Sequence, residues 1–466
     1  MAVRTDHIAA LVEIVGRDHA LTERDLATRD PGIDPHNLGA DLLVRPKTTA
    51  EVADVLRVCH DAHIGVVPQG GRTGISGGAV SQAGEIILSL ERMNAIESLD
   101  PISRCAVVQA GVTLGALIKA CHSHQLSPAM DLGARDSATL GGLASTNAGG
   151  SQAFRFGTMR DRLLGLEVVL ADGTVITELG QVRKRNEGLA LEQLFIGAEG
   201  ILGVITRVSI ALVDEDGPLA AALVGVSDVS AAVTLTDQLQ RRSGIRLSSI
   251  EIMSGNHARI SSQALGLTEF ESLCVQPYVL LIEATAPSAL AAEESLVQAL
   301  AVPLETGLIV DAVIAQNEQQ RQSMWRVRED WSVDRQYPGG LWYDVSVPIA
   351  HLAHYLDHFT TTLTAHDPGL SVFVVGHLAD GNVHITVNAT QPITARYEEI
   401  APLVTTTLRA ISGSFSAEHG IGLEKKATLV RELSMAKQTQ MHRLKTLFDP
   451  HGIMNPGKVL STPTPQ

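Results

Sequence analysis

Two histidines, His377 and His384, stand in Ser371-Val-Phe-Val-Val-Gly-His-Leu-Ala-Asp-Gly-Asn-Val-His-Ile-Thr-Val387, a segment otherwise mostly apolar. Apolar strands flank Asp380-Gly381, a dipeptide suited to a two-residue type I′ turn. With that turn His377 pairs directly with His384, and the two Cβ atoms stand about 5 Å apart on one face. Imidazoles that close could grip one metal ion. On spacing alone a solvent-facing pair is the simpler reading. Two observations favour the metal: the apolar surroundings, and a third candidate ligand in Ser416-Ala-Glu-His-Gly-Ile-Gly422.

A second kind of chemistry is written in glycine. Four glycine-dense loops fall in the first half of the chain: Gly70 to Gly78, Leu140 to Gly150, Arg155-Phe-Gly-Thr158 and Ile196-Gly-Ala-Glu-Gly200. Glycine lets the backbone approach a ligand closely and adopt positive φ, so that N–H groups can converge on phosphate oxygens. No Gly-Lys-Ser/Thr follows any of them, and none is a GxGxxG at a strand–helix junction near the N-terminus. Any one alone reads as a turn. Four in one half, rich in Ser, Thr and Asn, point to a phosphorylated ligand.

These residues need a scaffold, and the chain is long enough to supply one. Its 466 residues amount to roughly three domains' worth. Hydrophobic residues make up 45% and aromatics only 3%, so Ala, Val, Leu and Ile must fill the cores. Thr48-Thr49 precede a helix with Val52, Val55, Leu56 and Cys59 on one face. A strand from Ile64 to Val67 then leads into the first glycine loop. Another helix follows Thr113, carrying Leu114, Leu117, Ile118 and Cys121. Beyond Leu219 the spacing predicts strands over Ala220–Val226 and Tyr278–Glu283, and helices over Val229–Gln240 and Ser288–Leu300. Asp214-Glu-Asp-Gly217 breaks the apolar pattern and marks a boundary. From about Ser412 glycine loops return, and this last segment is expected to pack near the first domain.

Charge and cysteine content narrow the function classes. The formal charge is −15 with no Lys/Arg-rich run, the wrong field for nucleic acid or an anionic membrane. Cys59, Cys105, Cys121 and Cys274 show no CxxC spacing, which argues against an iron–sulfur cluster or a cysteine zinc site. Charges interrupt the first twenty residues where a signal peptide needs an apolar core, and no stretch reaches membrane-spanning length. A cytoplasmic protein without membrane insertion is expected. No internal repeat or low-complexity tract is visible apart from a short polar tail, Ser-Thr-Pro-Thr-Pro-Gln466.

Pro68-Gln-Gly-Gly-Arg-Thr-Gly-Ile-Ser-Gly-Gly78 resembles the pyrophosphate loop of flavoproteins with the vanillyl-alcohol oxidase (PCMH-type) FAD domain. Leu140 to Gly150, Leu166 to Gly173, Leu194 to Thr206 and Met454-Asn-Pro-Gly-Lys458 match that family in the same order. The implied fold is α+β: an FAD domain over 1–215, a substrate (cap) domain of antiparallel sheet plus helices over 216–411, and a C-terminal segment over 412–466. The resemblance implies FAD contacts from Pro68, Gly70, Gly71, Arg72 and Thr73, and from Ser76, Gly77 and Gly78. It adds Thr139, Gly141, Gly142, Thr146, Asn147 and Gly149, then Glu199, Gly200, Gly203 and Ile205, and finally Asn455. Residues 68–80 hold no His or Cys for a covalent flavin bond, so non-covalent FAD is expected.

The His-x2-Asp-Gly-Asn-x-His segment and Ala417-Glu-His-Gly420 resemble the D-2-hydroxyglutarate dehydrogenase, D-lactate dehydrogenase and glycolate oxidase branch. The resemblance assigns a divalent metal, zinc or manganese, to His377, His384 and Glu418, and the catalytic base to His419. The implied reaction oxidises a D-2-hydroxy acid to its keto acid, with an electron-transfer flavoprotein or a quinone-linked protein as acceptor. Arg328 matches an arginine that grips a substrate carboxylate; a surface salt bridge with Glu329 or Asp330 is the alternative. Ser332 stands for a threonine of the hydroxyglutarate enzymes, Trp342 for their lysine, Thr386 for an asparagine, and Ala379 for a usual glycine. These departures favour a D-lactate-like or larger apolar substrate, with D-2-hydroxyglutarate as the alternative. Two rivals are an alcohol or alditol oxidase and a non-catalytic flavin subunit of a larger complex. The His377, His384 and Glu418 set speaks against the first, and the presence of His419 against the second. Oligomeric state stays open, a homodimer among the options.

Overall fold

The computed structural model describes residues 3–461, with only the backbone of Glu23. Most of the polar tail, from Thr462 on, lies outside the described residues. The chain forms two compact units. The first comprises Met1–Gly150, Phe156–Glu215 and Glu418–Gln466; the second comprises Ser151–Arg155 and Asp216–Ala417. Ser412 to Ala417, grouped with the C-terminal segment on sequence grounds, thus lie in the second unit.

In the first unit a four-stranded sheet has the order β1-β2-β4-β3, from Ala20–Thr22, Leu42–Val44, Glu85–Ser89 and Gly65–Gln69. β2, β4 and β3 run parallel. Parallel neighbours need a crossover, usually a helix. Thr49–Asp61 supplies it: Thr48 accepts from the Glu51 amide as N-cap, and Val52, Val55, Leu56 and Cys59 are buried. A five-stranded sheet follows in the order β5-β6-β10-β8-β9, from Ile96–Asp100, Cys105–Gln109, Val204–Ala211, Leu163–Val169 and Val175–Glu178. Leu126–Ser127 (β7) and Val213–Asp214 (β11) pair separately.

The C-terminal stretch closes this unit along β3. Val66 donates its amide to the Ile453 carbonyl and accepts from the Asn455 amide, each at 2.8 Å. Asp449, 2% exposed, shapes that return: its carboxylate accepts from the amides of Ile453 (3.0 Å) and Met454 (2.7 Å) and pairs with Lys445.

The second unit is built on seven antiparallel strands in the order β15-β12-β14-β13-β17-β18-β16. Their ranges are Asp311–Ile314, Leu219–Val226, Tyr278–Thr285, Arg246–Ser254, Ser371–His377, Asn382–Asn388 and Leu341–Ser346. Both faces are covered. On one, Leu341, Tyr343, Val345, Val383 and Ile385 pack against the helices Val229–Arg241, Ala289–Glu305, Leu352–His366 and Tyr397–Thr405. On the other, Met253, Leu281 and Val375 pack with Ala258, Met324 and Val327 from the helices Gly255–Leu265 and Glu318–Glu329. Burial on both sides explains the near-continuous apolar run of β12. Among the described residues no helix is long and apolar enough to cross a membrane.

The histidine hairpin departs from the expected turn. Its loop has four residues: Leu378–Asp380 form a 3-10 turn, and Gly381 takes φ +75°. His377 therefore pairs with Asn382, and His384 with Val375. The cause is Leu378, which leaves the ladder to bury its side chain completely in the core. Gly381 also lies so close to the Val347 carbonyl that a Cβ would stand 2.0 Å from it. The slip is two residues, the side-chain period of a strand, so both histidines keep their common face.

Asp449→Ala is expected to lower stability by about 3 kcal/mol, since it strands two amides and leaves the mostly buried Lys445 ammonium with only the Ile201 and Met454 carbonyls. Asp54→Ala, which removes an exposed pair with Arg57, should cost under about 1 kcal/mol. Urea unfolding of both variants checks this, and equal midpoints would refute the role given to Asp449.

Candidate functional site

The first unit holds the glycine loops, and their geometry separates into two halves. Gly70, Gly71, Arg72 and Thr73 line a cleft of about 810 Å³ together with Gly111, Val112, Ser137 and Thr139. A Cβ on Gly70 would stand 2.2 Å from Thr139 Oγ1, and one on Gly71 would stand 1.9 Å from the Ser137 carbonyl. Only glycine fits at either position. Thr139 Oγ1 is itself buried without a hydrogen-bond partner among the described residues. Buried hydroxyls are normally satisfied, so this one suits a polar ligand. The residues present fit a bound dinucleotide such as FAD.

The other half of that loop is tied to the C-terminal segment. The Ser76 carbonyl accepts from the Leu423 amide at 2.8 Å, and Gly77 takes φ +73°. Asn455 Nδ2 donates to the carbonyls of Gly78 (3.0 Å) and Glu199 (2.7 Å). Glu199 is 9% exposed, and its carboxylate accepts from the amides of Ile421 (2.7 Å) and Gly422 (2.8 Å). Burial pushes its carboxyl up, and those two amides oppose the shift. Gly200, at φ +74°, packs on Pro68, while Gly203 approaches Val168 and Val169 of β8 and Ile205 is buried in β10.

The helix Leu140–Thr146 begins at Thr139 and ends at Asn147, which takes φ +53°. Gly141 packs against Ala110, too close for any Cβ. Thr146 Oγ1 donates back to the Gly142 carbonyl, and Asn147 Oδ1 accepts from Thr158 Oγ1 and the Arg160 amide. Beyond Gly149, the Gly150 amide donates to Glu418 Oε1 at 2.6 Å. His419 is thus pinned on both sides within this unit, through Glu418 on Gly150 and through Ile421 and Gly422 on Glu199.

In the second unit one sheet face carries the ionisable groups. Glu251 of β13 pairs in register with His377 of β17, and Asp344 of β16 with His384 of β18. With β13-β17-β18-β16 adjacent, the face reads carboxylate, imidazole, imidazole, carboxylate. The two imidazole centroids are 5.6 Å apart and nearly perpendicular. Glu251 is fully buried and accepts from His377 Nδ1, Ser249 Oγ and Arg328 Nε, each at 2.9 Å. Burial would raise its carboxyl, but His377 and Arg328 outweigh that and hold it at about 2. An ionised Glu251 fixes the His377 proton on Nδ1 and makes Nε2 the lone-pair nitrogen. Metal-binding imidazoles are commonly oriented in this way.

Asp344, 2% exposed, lies 3.5 Å from His384 Nδ1 and accepts from Asn382 Nδ2 (2.9 Å) and the Ala417 amide (3.1 Å). It thereby orders the chain just before Glu418. The donor set of His377 and His384, each backed by a carboxylate, fits a divalent cation. Of the other expected residues, Arg328 pairs with Glu251 and not with its sequence neighbours. Thr386 pairs with Trp342, so both share the face of His384 and Asp344. The Ser332 hydroxyl accepts from Arg335 at 2.7 Å. Glu251 and Asp344 were missed in the sequence. Their signal was there: each is a lone acid inside an apolar strand, a pattern tolerated only with partners.

Residues 218–459 match the family described as FAD linked oxidases, C-terminal domain, and residues 40–178 match FAD binding domain. Mitochondrial D-2-hydroxyglutarate dehydrogenase of Bos taurus is 35% identical over 99% of this chain and 84% of its own. The Arabidopsis thaliana protein of that name is 35% identical over 90% and 75%. A D-2-hydroxyglutarate–pyruvate transhydrogenase of Saccharomyces cerevisiae is 31% identical over 90% and 86%. Substrate-bound p-cresol methylhydroxylase shares the fold at TM-score 0.75 and 18% identity, covering 97% of this chain and 96% of its own. Alkyldihydroxyacetonephosphate synthase does so at TM-score 0.72 and 18% identity, covering 97% and 85%. The chain belongs to the FAD-linked oxidases, in the branch of FAD-dependent D-2-hydroxy-acid dehydrogenases acting on CH–OH donors.

Proposed function

We propose that this dehydrogenase is metal-dependent and acts on D-2-hydroxy acids with apolar side chains, D-lactate or a larger analogue. The observation that carries the metal is the row of Glu251, His377, His384 and Asp344 on one sheet face. Non-covalent FAD would supply the hydride acceptor, and a zinc or manganese ion, to which the resemblance assigns His377, His384 and Glu418, would supply a Lewis acid for the substrate's carboxylate and hydroxyl. Glu251 keeps the His377 imidazole in the tautomer and orientation that ligation needs, and Asp344 places a carboxylate 3.5 Å from His384 Nδ1. His419 accepts the C2 hydroxyl proton as general base. Two-electron turnover needs an outlet, and the chain carries no second redox motif. A separate electron-transfer flavoprotein or quinone-linked protein is the fitting acceptor.

Arg328 bears on the substrate. Its charge is already compensated by the ionised Glu251, so it adds little uncompensated positive field for a second substrate carboxylate. Trp342, which the resemblance sets in place of a lysine, adds an apolar surface on the face of His384. This favours a monocarboxylic substrate. D-2-Hydroxyglutarate is the second reading, favoured by the names of the relatives.

Chelation followed by desalting is expected to abolish turnover and leave the protein yellow, with activity restored by zinc or manganese and flavin released by acid precipitation. Full activity in a metal-free preparation would refute the metal. His419→Ala should lower kcat roughly 10²–10⁴-fold at unchanged flavin content; normal flavin reduction in that variant would place the base elsewhere. Steady-state kcat/KM for D-lactate, D-2-hydroxyisovalerate and D-mandelate should exceed that for D-2-hydroxyglutarate, and the reverse order would select the second reading.

A further inference from the structure

The chain has 3 Trp, 5 Tyr and 8 Phe among 466 residues, so a gathering of aromatics calls for a reason. Trp325 has a structural one, since its Nε1 donates to the buried Glu283 at 2.8 Å. The other two tryptophans pack on each other. Trp331 and Trp342 have ring centroids 5.3 Å apart with 35° between planes, yet remain 59% and 38% exposed. Two large rings that pack together at a tilt and still face outward leave apolar surface for something else to cover.

Their position says what. Trp342 lies on the same face of β16 as Asp344, two residues further along, and pairs with Thr386 of β18, two residues beyond His384. Two residues of strand span about 7 Å. Phe373 of β17 pairs with Thr386 from the other side and packs on Tyr337 with centroids 5.5 Å apart. Four of the scarce aromatics therefore line this face just past the histidine pair. Trp331 follows Arg328 by three residues, at the start of the short helix Ser332–Gln336. A hydroxy acid whose carboxylate and hydroxyl sit at His377 and His384 has this face within reach of its C2 substituent.

We infer that Trp331 and Trp342 form the side-chain subsite of the enzyme and select D-2-hydroxy acids with a flat aromatic substituent. This rests on the D-2-hydroxy-acid reading and adds Trp331, to which the sequence assigned no role, as a specificity-determining residue. Stacking discriminates against lactate because a methyl group cannot cover either ring.

The test uses the FAD-loaded enzyme with D-3-phenyllactate and D-lactate, comparing the native chain with Trp331→Ala, Trp342→Ala and the two Phe variants. The ratio of kcat/KM for phenyllactate over lactate should exceed 10 in the native enzyme. It should fall about 10-fold in each Ala variant, mainly through KM, and recover with Phe. Flavin content reports folding, and Trp331, being largely exposed, tolerates truncation. A ratio unchanged by all four substitutions would overturn the subsite while leaving the dehydrogenase reading intact; that result would mean that another surface covers the pair. Failure of both acids, and of every other D-2-hydroxy acid tried, to reduce the flavin would overturn both.

Discussion

An ionised carboxylate shut off from water must have its charge matched within the protein, and Glu251 imposes that constraint on the second unit. Its partners come from three elements: Ser249 on its own strand, His377 on β17 and Arg328 on the helix Glu318–Glu329. Each partner is held because leaving the charge unmatched costs several kcal/mol. Register, helix placement and imidazole tautomer are thus linked through one side chain. Asp344 repeats the arrangement across the hairpin, where Asn382 and the Ala417 amide share its carboxylate. His377 is held because its partner Glu251 cannot move without exposing a buried charge.

The first unit solves the corresponding problem with backbone. Glu199 is matched by two amides, and Asn455 ties the Glu199 carbonyl to that of Gly78. The knot connects the second half of the glycine loop, the Ile196–Gly200 turn and the loop of His419. Glycine recurs there because chain segments meet at backbone distance: a Cβ on Gly422 would stand 1.9 Å from the Ser76 carbonyl. Cofactor loops and the proposed base share one scaffold, so loss of the C-terminal return along β3 would disturb both.

Much of this was legible in the chain. The helix after Thr48, the strands Leu219–Val226 and Tyr278–Thr285 and the glycine loops follow local rules of capping, period and φ, which a sequence states directly. The common face of His377 and His384 was legible too, because strand period survives a two-residue slip. The turn between them was not. Asp380-Gly381 favours a tight hairpin locally, but burial of Leu378 outweighs that preference. The partner of Arg328 was equally hidden, since Glu251 lies 77 residues away and a lone acid in a strand does not name its partner.

The sequence by itself determined which residues could do chemistry: the imidazole pair, the Glu-His dipeptide at 418–419 and the glycines that leave room for a cofactor. Only the tertiary structure decided how each is held. Strand order β13-β17-β18-β16 sets Glu251 against His377 and Asp344 against His384, and it brings Trp342 beside Trp331. Residue types and periods are local properties, written in the chain. The pairing of buried charges is a property of which distant strands become neighbours, and burial of the whole core decides that.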